Sequence, residues 1–370
     1  MHLFFFIVLS IWAGLNGYAF WRLSILTALI RLPPFALWAL ALVCWLSLPA
    51  SRWARGSFPR MSDALDVFST TWLGVLFLLC LCFLAVDCAT LGGFVFRNWI
   101  FKLRLIAVVA ATGLSVVALI QGTRNPVIRE QTIVLPGLPR ERDGLRLVFI
   151  SDMHLGTQIG RDWLNQLVEQ ITLLKPDLIA IGGDLVDHDA ERVQAMTPEL
   201  RRLRAPLGVW AVLGNHDVYS GPDQSSGIME AAGFHVLHDE SIVVATGLRI
   251  AGVDDLGVRG RAESVEPVVR KTLNQTRRGL EGCVFLSHTP ISMTAAAEAG
   301  AGLMLCGHTH GGQIWPFNYL VKMRFPTIAG LYDFGDMKLI VSRGAGTWGP
   351  RMRLWRPGEI WLVTLRASQL

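Results

Sequence analysis

Four stretches of this chain carry no charged residue: residues 3–21, 32–51, 67–86 and 105–123. Each is 19 or 20 residues long, and a helix needs about 20 apolar residues to cross a bilayer. Charge-free runs of that length exclude ordinary surface helices and predict four transmembrane helices. Trp21, Arg22, Trp53, Arg97 and Trp99 gather near the ends of the runs, where aromatic and basic side chains sit at a membrane interface. A basic amino-terminal region is also lacking, since the chain opens "MHLFFF". That argues against a cleaved signal peptide.

Other absences narrow the reading further. Asp87 is the one acid near membrane depth. Such a residue is a functional candidate by default, but the glycine-rich "DCATLGGF" around it can bend, so Asp87 is read as marking a helix end. The flanking arginines and lysine show no asymmetry. Arg52, Arg55, Arg60, Arg124 and Arg129 fall on one side, and Arg22, Arg31, Arg97, Lys102 and Arg104 on the other. The tie assigns no orientation by the positive-inside rule. No two of the six cysteines have zinc-ribbon or redox spacing. No single basic stripe accompanies the net charge of +5, so a nucleic-acid partner is not expected. There is no internal repeat and no low-complexity tract.

Hydrophobic residues make up 52% of the chain, with mean hydropathy +0.41. The excess lies at the front, and from about residue 121 the pattern changes. Residues 1–123 form the predicted membrane region, 124–144 a linker or edge strand, and 145–370 a further domain. In that domain "LRLVFI", "PDLIAIGG", "GVWAVLG", "GCVFLSH", "GLMLCGH", "LIVSRG" and "EIWLVTL" read as strands. "DWLNQLVEQITLL", "PELRRLRA", "GIMEAAGF" and "SMTAAAEAG" read as helices. "IVVATGLRIAGV" reads as a hairpin turning near Thr246 and Gly247. The alternation predicts an α/β domain with helices on the faces of buried strands.

Chemistry-bearing residues follow five of these strands: Asp152 and His154, then Asp184 and Asp187, then Asn215, His216 and Asp217, then His288, then His308 and His310. Ligands sit at the carboxyl ends of strands in α/β sheets. Residues two apart on an extended chain point the same way, so Asp152 with His154, and His308 with His310, are each expected to face one point. Gly156, Gly183, Gly214, Gly307, Gly311 and Gly312 leave room for sharp turns and an ion. Any one piece has a plain alternative: "GNHD" can be a turn, "GDLVD" a helix cap, and a lone His288 a core residue. The ordered set is harder to dismiss. Asp152, His154, Asp184, Asn215, His288, His308 and His310 are seven oxygen and nitrogen donors without thiolate, which suits manganese, iron, zinc, cobalt or nickel. A catalytic zinc site takes three protein ligands. Seven donors with one bridging carboxylate fit two ions, the arrangement used for in-line displacement at phosphorus.

The order "DMH", "GDLVD", "GNHD", "SHTP", "GHTHGGQ" resembles the calcineurin-like metallophosphoesterase superfamily over roughly residues 145–365. Together with "SRGAGTWGPRMRLWRPGEI" it is similar to bacterial phosphodiesterases of the YkuE and YaeI type. The resemblance implies a four-layer αββα sandwich with two divalent ions, manganese favoured. Asp152, His154, Asp184 and His310 would hold one ion. Asp184, Asn215, His288 and His308 would hold the other, with Asp184 bridging. A hydroxide held between the ions would attack phosphorus, His216 would serve the leaving oxygen, and Asp187 would orient His216. Asp217 is expected to hold its own turn. Purple acid phosphatases carry Tyr where this chain has Asp187, so a tyrosinate-bound ferric site is not expected.

His188 is read as exposed loop, and His235 and His238 as structural residues flanking a strand. Residues 343–356 read either as a β-hairpin with a solvated face or as a phosphate-facing lip whose aromatic area would suit a lipid. The expected protein is a multi-pass membrane phosphoesterase acting on a phosphodiester or phosphomonoester, with the bilayer as partner and a lipid-linked substrate as a fitting one. Two rivals stand beside it: a pyrophosphate hydrolase of a nucleotide-linked lipid precursor of the UDP-diacylglucosamine type, and a non-catalytic metal-dependent scaffold.

Overall fold

The apolar runs and the alternating segments segregate into separate units. The computed structural model describes residues 2–27, 33–260, 262–276 and 281–368. One unit comprises Met1–Thr123 with Gly349–Leu354, the other Arg124–Trp348 with Trp355–Leu370.

The first unit holds the helices α1 (His2–Leu23), α2 (Pro34–Ala54), α3 (Pro59–Thr90) and α4 (Ile100–Thr123). Proline opens α2 and α3, where its missing N–H costs nothing. Leu91 and Gly92 stop α3 with φ of 49° and 73°. Among the described residues, three segments are long and apolar enough to cross a membrane: Phe35–Ala54, Pro59–Gly93 and Arg97–Thr123. The first predicted run falls within α1, but the side chains of residues 2–6 lie outside the described residues, as do Arg31 and Leu32. The third run, expected at 67–86, belongs to a longer helix. Hydropathy marks only the charge-free run, whereas Ser62, Asp63 and Asp66 continue the helix beyond it.

Inside this unit Trp12, Ala19, Leu76, Phe83, Ala107 and Ala111 are buried together, the small residues letting helices approach. Trp72 donates to Asn16 at 2.9 Å and Trp12 to the Trp45 carbonyl at 2.9 Å. Gly349–Leu354 packs here too. The Arg353 amide donates to the Ala118 carbonyl at 2.9 Å. A Cβ on Gly74 would lie 2.4 Å from Met352 Sδ, and one on Gly122 would lie 2.4 Å from the Arg351 carbonyl oxygen. The hairpin reading of 343–356 is therefore wrong: these residues form no strand, and Met352, Arg353 and Leu354 are buried.

The second unit is built on two six-stranded sheets. In order across the first lie β1 (Val127–Val134), β12 (Glu359–Arg366), β2 (Leu145–Ile150), β3 (Leu178–Ile181), β4 (Val209–Ala211) and β5 (His235–Val236). Only the β12–β2 pair is antiparallel. The second sheet runs β10 (Gly330–Phe334), β11 (Met337–Val341), β9 (Leu303–Cys306), β8 (Gly282–Ser287), β7 (Leu248–Val253), β6 (Glu240–Ala245). Its central strands β11, β9, β8 and β7 are parallel. The 124–144 segment thus supplies an edge strand, β1, parallel to β12.

Strand alternation sorts β2 between two cores. Leu147 and Phe149 join Val212, Ile250, Leu286, Leu305 and Val363 between the sheets. Val148 and Ile150 face the other way, toward Trp163, Leu164 and Leu167 of α5 (Arg161–Leu173) and toward α6 (Pro222–Ala231). A third core joins the outer face of the second sheet to α7 (Ala262–Asn274) and α8 (Met293–Glu298). The result is the αββα sandwich expected. The predicted helix "PELRRLRA" is shorter, Thr197–Leu200. Neither α7 nor α9 (Phe317–Arg324) was anticipated. Pro267 inside α7 and the polar, aromatic mix of α9 hide their helical period.

Candidate metal centre

The ends of β2, β3 and β4 from one sheet meet the ends of β8 and β9 from the other, and all seven predicted donors come together there. His154 Nε2 lies 3.0 Å from His310 Nε2 and 3.6 Å from Asp184 Oδ2. His310 Nε2 lies 3.5 Å from Asp152 Oδ1. His288 Nε2 is 3.2 Å from Asp184 Oδ2 and 3.2 Å from Asn215 Oδ1, which is 2.9 Å from His308 Nδ1. Among the described residues, four groups fit an ion by distance: Asp152 with His154 and His310, Asp152 with Asp184 and His288, His154 with Asp184 and His216, and Asp187 with His188 and His216. Asp152 and Asp184 each belong to two of them.

The reason these side chains converge is not the one the spacing implied. Asp152, His154, Asp184, His308 and His310 all have left-handed backbone, with φ of 54°, 47°, 54°, 71° and 49°. Non-glycine residues rarely adopt it, and it clusters at functional sites. The D-x-H and H-x-H pairs turn inward on twisted loops, not on extended strands. Close packing adds to this. A Cβ on Gly214 would sit 2.1 Å from Asp184 Oδ1, and one on Gly307 would sit 2.3 Å from Asp152 Oδ2. Side chains at either position would fill the space the carboxylates occupy.

Hydrogen bonds fix the donors. His288 Nδ1 meets the Gly182 carbonyl at 2.8 Å, which leaves Nε2 for the site. Ser151 Oγ donates to Asp152 Oδ2 at 2.6 Å, and the His308 amide to Asp152 Oδ1 at 3.0 Å. The His216 amide donates to Asp184 Oδ1 at 2.8 Å, and His216 Nδ1 lies 2.9 Å from Asp187 Oδ1. Asp217 accepts from the Gly214 and Val186 amides at 2.9 and 2.8 Å, holding its own turn to the loop after β3.

Burial and charge divide the titrating groups. Burial pushes the Asp152 carboxyl up to about 6, Asp184 adding to the rise against His288. Burial also raises Asp184, but His288, His154 and His216 outweigh it and hold that carboxylate below its ordinary range. His154 and His308 are pushed down to about 4 by burial first, so each imidazole keeps a lone pair. Burial would lower His216 as well, yet the Asp187 hydrogen bond and the Asp184 charge raise it. Burial alone would lower His288 too, but the Asp184 charge and hydrogen bond raise it well above its ordinary range. Two buried carboxylates, the neutral imidazoles of His154 and His308 and an amide oxygen, all within short reach, are a donor set that fits divalent ions.

Several residues at the site were given no role by the sequence or were misplaced. His188 is exposed as expected, but its Nε2 lies 3.6 Å from Asp187 and its ring 5.1 Å from that of His216. His235 lies within β5, not beside it, and stacks on Trp210 at 4.4 Å. His238 meets Asp254 at 2.8 Å. Gln313, the last residue of "GHTHGGQ", accepts from the Trp348 amide and donates to its carbonyl, both at 2.9 Å. That holds the Trp348 ring 6.1 Å from His216. The Ala345 and Gly346 amides donate to the carbonyls of Ser151 and Asp152 at 2.8 and 2.9 Å, buttressing the first donor loop.

Comparison with known proteins agrees with this geometry. Residues 145–312 match the family of Calcineurin-like phosphoesterases. An "Uncharacterized metallophosphoesterase" of Helicobacter pylori strain J99 is 34% identical over 65% of this chain and 64% of its own. The chain thus spans just under two thirds of that relative. A bovine "Transmembrane protein with metallophosphoesterase domain" is 32% identical over 71% of this chain and 62% of its own. A metallophosphoesterase of Aquifex aeolicus is 34% identical, with 65% of this chain covering 92% of it. The matched region contains every one of the donors gathered at the strand ends, and on that ground the chain belongs to the metallophosphoesterase family.

Proposed function

We propose that this protein is a multi-pass membrane phosphoesterase that binds two divalent ions and hydrolyses a phosphodiester or phosphomonoester. One observation carries the reading: seven donors from five strand ends form a continuous series of contacts, none longer than 3.6 Å. In it Asp152, His154, Asp184 and His310 hold one ion, and Asp184, Asn215, His288 and His308 the other. Manganese is the favoured metal. When bound, such ions supply Lewis acidity and make water nucleophilic near neutral pH. The protein's own residues do the rest. His216 carries a proton toward the leaving oxygen, or holds the charge that develops there. Asp187 fixes the His216 tautomer by accepting from Nδ1. Asp184 is the shared carboxylate, and its low pKa keeps it ionised.

An amphiphilic phosphoester is the substrate class this reading favours. Tyr219 and Trp348 are exposed beside His216. Helix α9 exposes Phe317, Tyr319, Leu320 and Met323, and Asn318 in α9 packs on Gly312 of the donor loop. Apolar area of this kind next to a polar centre suits acyl chains better than sugars. A nucleotide-linked lipid pyrophosphate falls within that class.

The test is an assay of the full-length protein in detergent, after chelation and after manganese is restored. Restored hydrolysis of an aryl phosphodiester, with about two manganese ions per chain, is the expected result. Full metal loading without turnover on mono-, di- and pyrophosphate esters would leave a scaffold role instead. A preference for acylated over short-chain esters supports the substrate class, and equal rates would remove it.

A further inference from the structure

The helical unit holds a second concentration of charge, away from the metal centre. Arg22 lies at the end of α1, Asp87 in the last turn of α3 and Arg104 in the second turn of α4. Arg22 Nε is 2.7 Å from Asp87 Oδ2, and Tyr18 donates to the same oxygen at 2.6 Å. The Arg22 guanidinium also lies 3.7 Å over the Trp21 ring. Arg104 is held less closely. Its Nη2 is 3.6 Å from Asp87 Oδ1, longer than a hydrogen bond. Its Nε, like that of Arg22, is buried with no hydrogen-bond partner among the described residues. The residue is only 7% exposed.

Guanidinium presents five N–H donors and stays charged. Burying even one guanidinium N–H without a hydrogen bond is costly, more so at the end of a membrane helix. Two arginines face one carboxylate, so the cluster carries an excess of one positive charge. Asp87 Oδ1 also lacks a hydrogen bond among the described residues, so the acid does not saturate Arg104. The turn beside the cluster is apolar and exposed. Leu91, Phe94, Phe96 and Trp99, in the turn between α3 and α4, are all exposed. Gly93 lies against Arg104, with a Cβ there 3.9 Å from Nη2. Along α4, Arg104 stands roughly 28 Å from Thr123, close to the thickness of a bilayer's hydrocarbon core. The cluster is therefore at headgroup level, not at mid-membrane.

We infer that Arg22 and Arg104 form a binding site for the phosphate group of an anionic membrane lipid, with Leu91, Phe94, Phe96 and Trp99 lying among its acyl chains. Arginine pairs with phosphate through two parallel N–H bonds, and basic pockets between membrane helices take anionic headgroups. Asp87 and Tyr18 hold Arg22 in place and set the net charge. The site does not depend on the metal centre or on the proposed hydrolysis.

The experiment uses full-length protein in detergent and follows thermal unfolding as lipid is added. Phosphatidylglycerol should raise the unfolding temperature, and phosphatidylcholine at the same concentration should not. Equal shifts, or none, overturn the inference without any variant being made. Arg104→Gln should weaken the phosphatidylglycerol response by about tenfold in concentration, as the loss of a charged hydrogen bond implies. Asp87→Asn should keep or strengthen it, because the excess positive charge grows. If the cluster were only an ion pair locking helices, both variants would lower stability and neither would change the lipid response. That result also overturns the inference. Inorganic phosphate at millimolar concentration separates the sources. No competition supports a lipid, whereas full displacement would show that the site takes free phosphate and would overturn the lipid assignment.

Discussion

The ring of His216 is tied to Asp187 through Nδ1, at 2.9 Å. The carboxylate favours imidazolium, so it raises the His216 pKa against the opposing effect of burial. A proton on His216 is then kept to higher pH than on a free imidazole. Asp187→Asn removes that charge, and the His216 pKa falls. The basic limb of the pH–rate profile should move to lower pH than in the unsubstituted protein, with metal content unchanged. A limb that stays in place would mean another group sets it.

His216 also sits within ligand range of His154 and Asp184, so two roles compete for it. If it serves the leaving oxygen, His216→Ala keeps both ions and loses about 10²–10⁴-fold in kcat. The loss should be smaller for a nitrophenolate ester, whose leaving oxygen needs little help. Elemental analysis beside rates on good and poor leaving groups decides this. Metal depletion, or equal losses on both esters, would make His216 a ligand.

Asp184 touches His154 on one side and His288 on the other. Replacing it by Asn keeps the shape but removes the shared negative charge. Two adjacent cations then repel with less compensation. Asp184→Asn should lose at least one metal equivalent and nearly all turnover, read by elemental analysis and by rate. Two retained ions would move the bridging role to Asp152, the other carboxylate in two donor groups.

A chain begun at Arg124 keeps every donor but loses the helices against which Met352, Arg353 and Leu354 are buried. It should still bind metal and hydrolyse a soluble aryl phosphodiester. Arg351 and Arg353 should become early tryptic sites that the full-length protein resists, seen by mass spectrometry of limited digests. A truncated chain that binds no metal would make the helices necessary for the centre.

The donors were legible because their chemistry is local: a carboxylate or imidazole after each apolar run, with glycines beside it. The layers were legible because Leu147, Val148, Phe149 and Ile150 are apolar on both faces, which only a sheet covered on both sides needs. What stayed hidden depends on distant partners. Nothing near Trp348 in sequence announces Gln313, which lies far along the chain and holds it. The buttress at Ala345 and Gly346 is made of backbone amides, which any sequence could supply. Left-handed backbone at His154 or His310 leaves no mark in residue type, because the surrounding packing imposes it. Helix α7 was missed through Pro267, which local rules take as a breaker.

The placement of Gly349–Leu354 and of β12 bears on how the chain is assembled as it leaves the ribosome. Helices α1 to α4 emerge well before the piece that fills against Gly74 and Gly122, which follows some 230 residues later. Strand β1 waits as long, since its partner β12 follows more than 220 residues after it. By then His310 and every other donor have already been made. Closure of the helical unit and of the first sheet are thus the same late event, and neither can be completed around a second unit that stops short. A nascent chain cut off before residue 349 would keep all seven donors and still leave both units open.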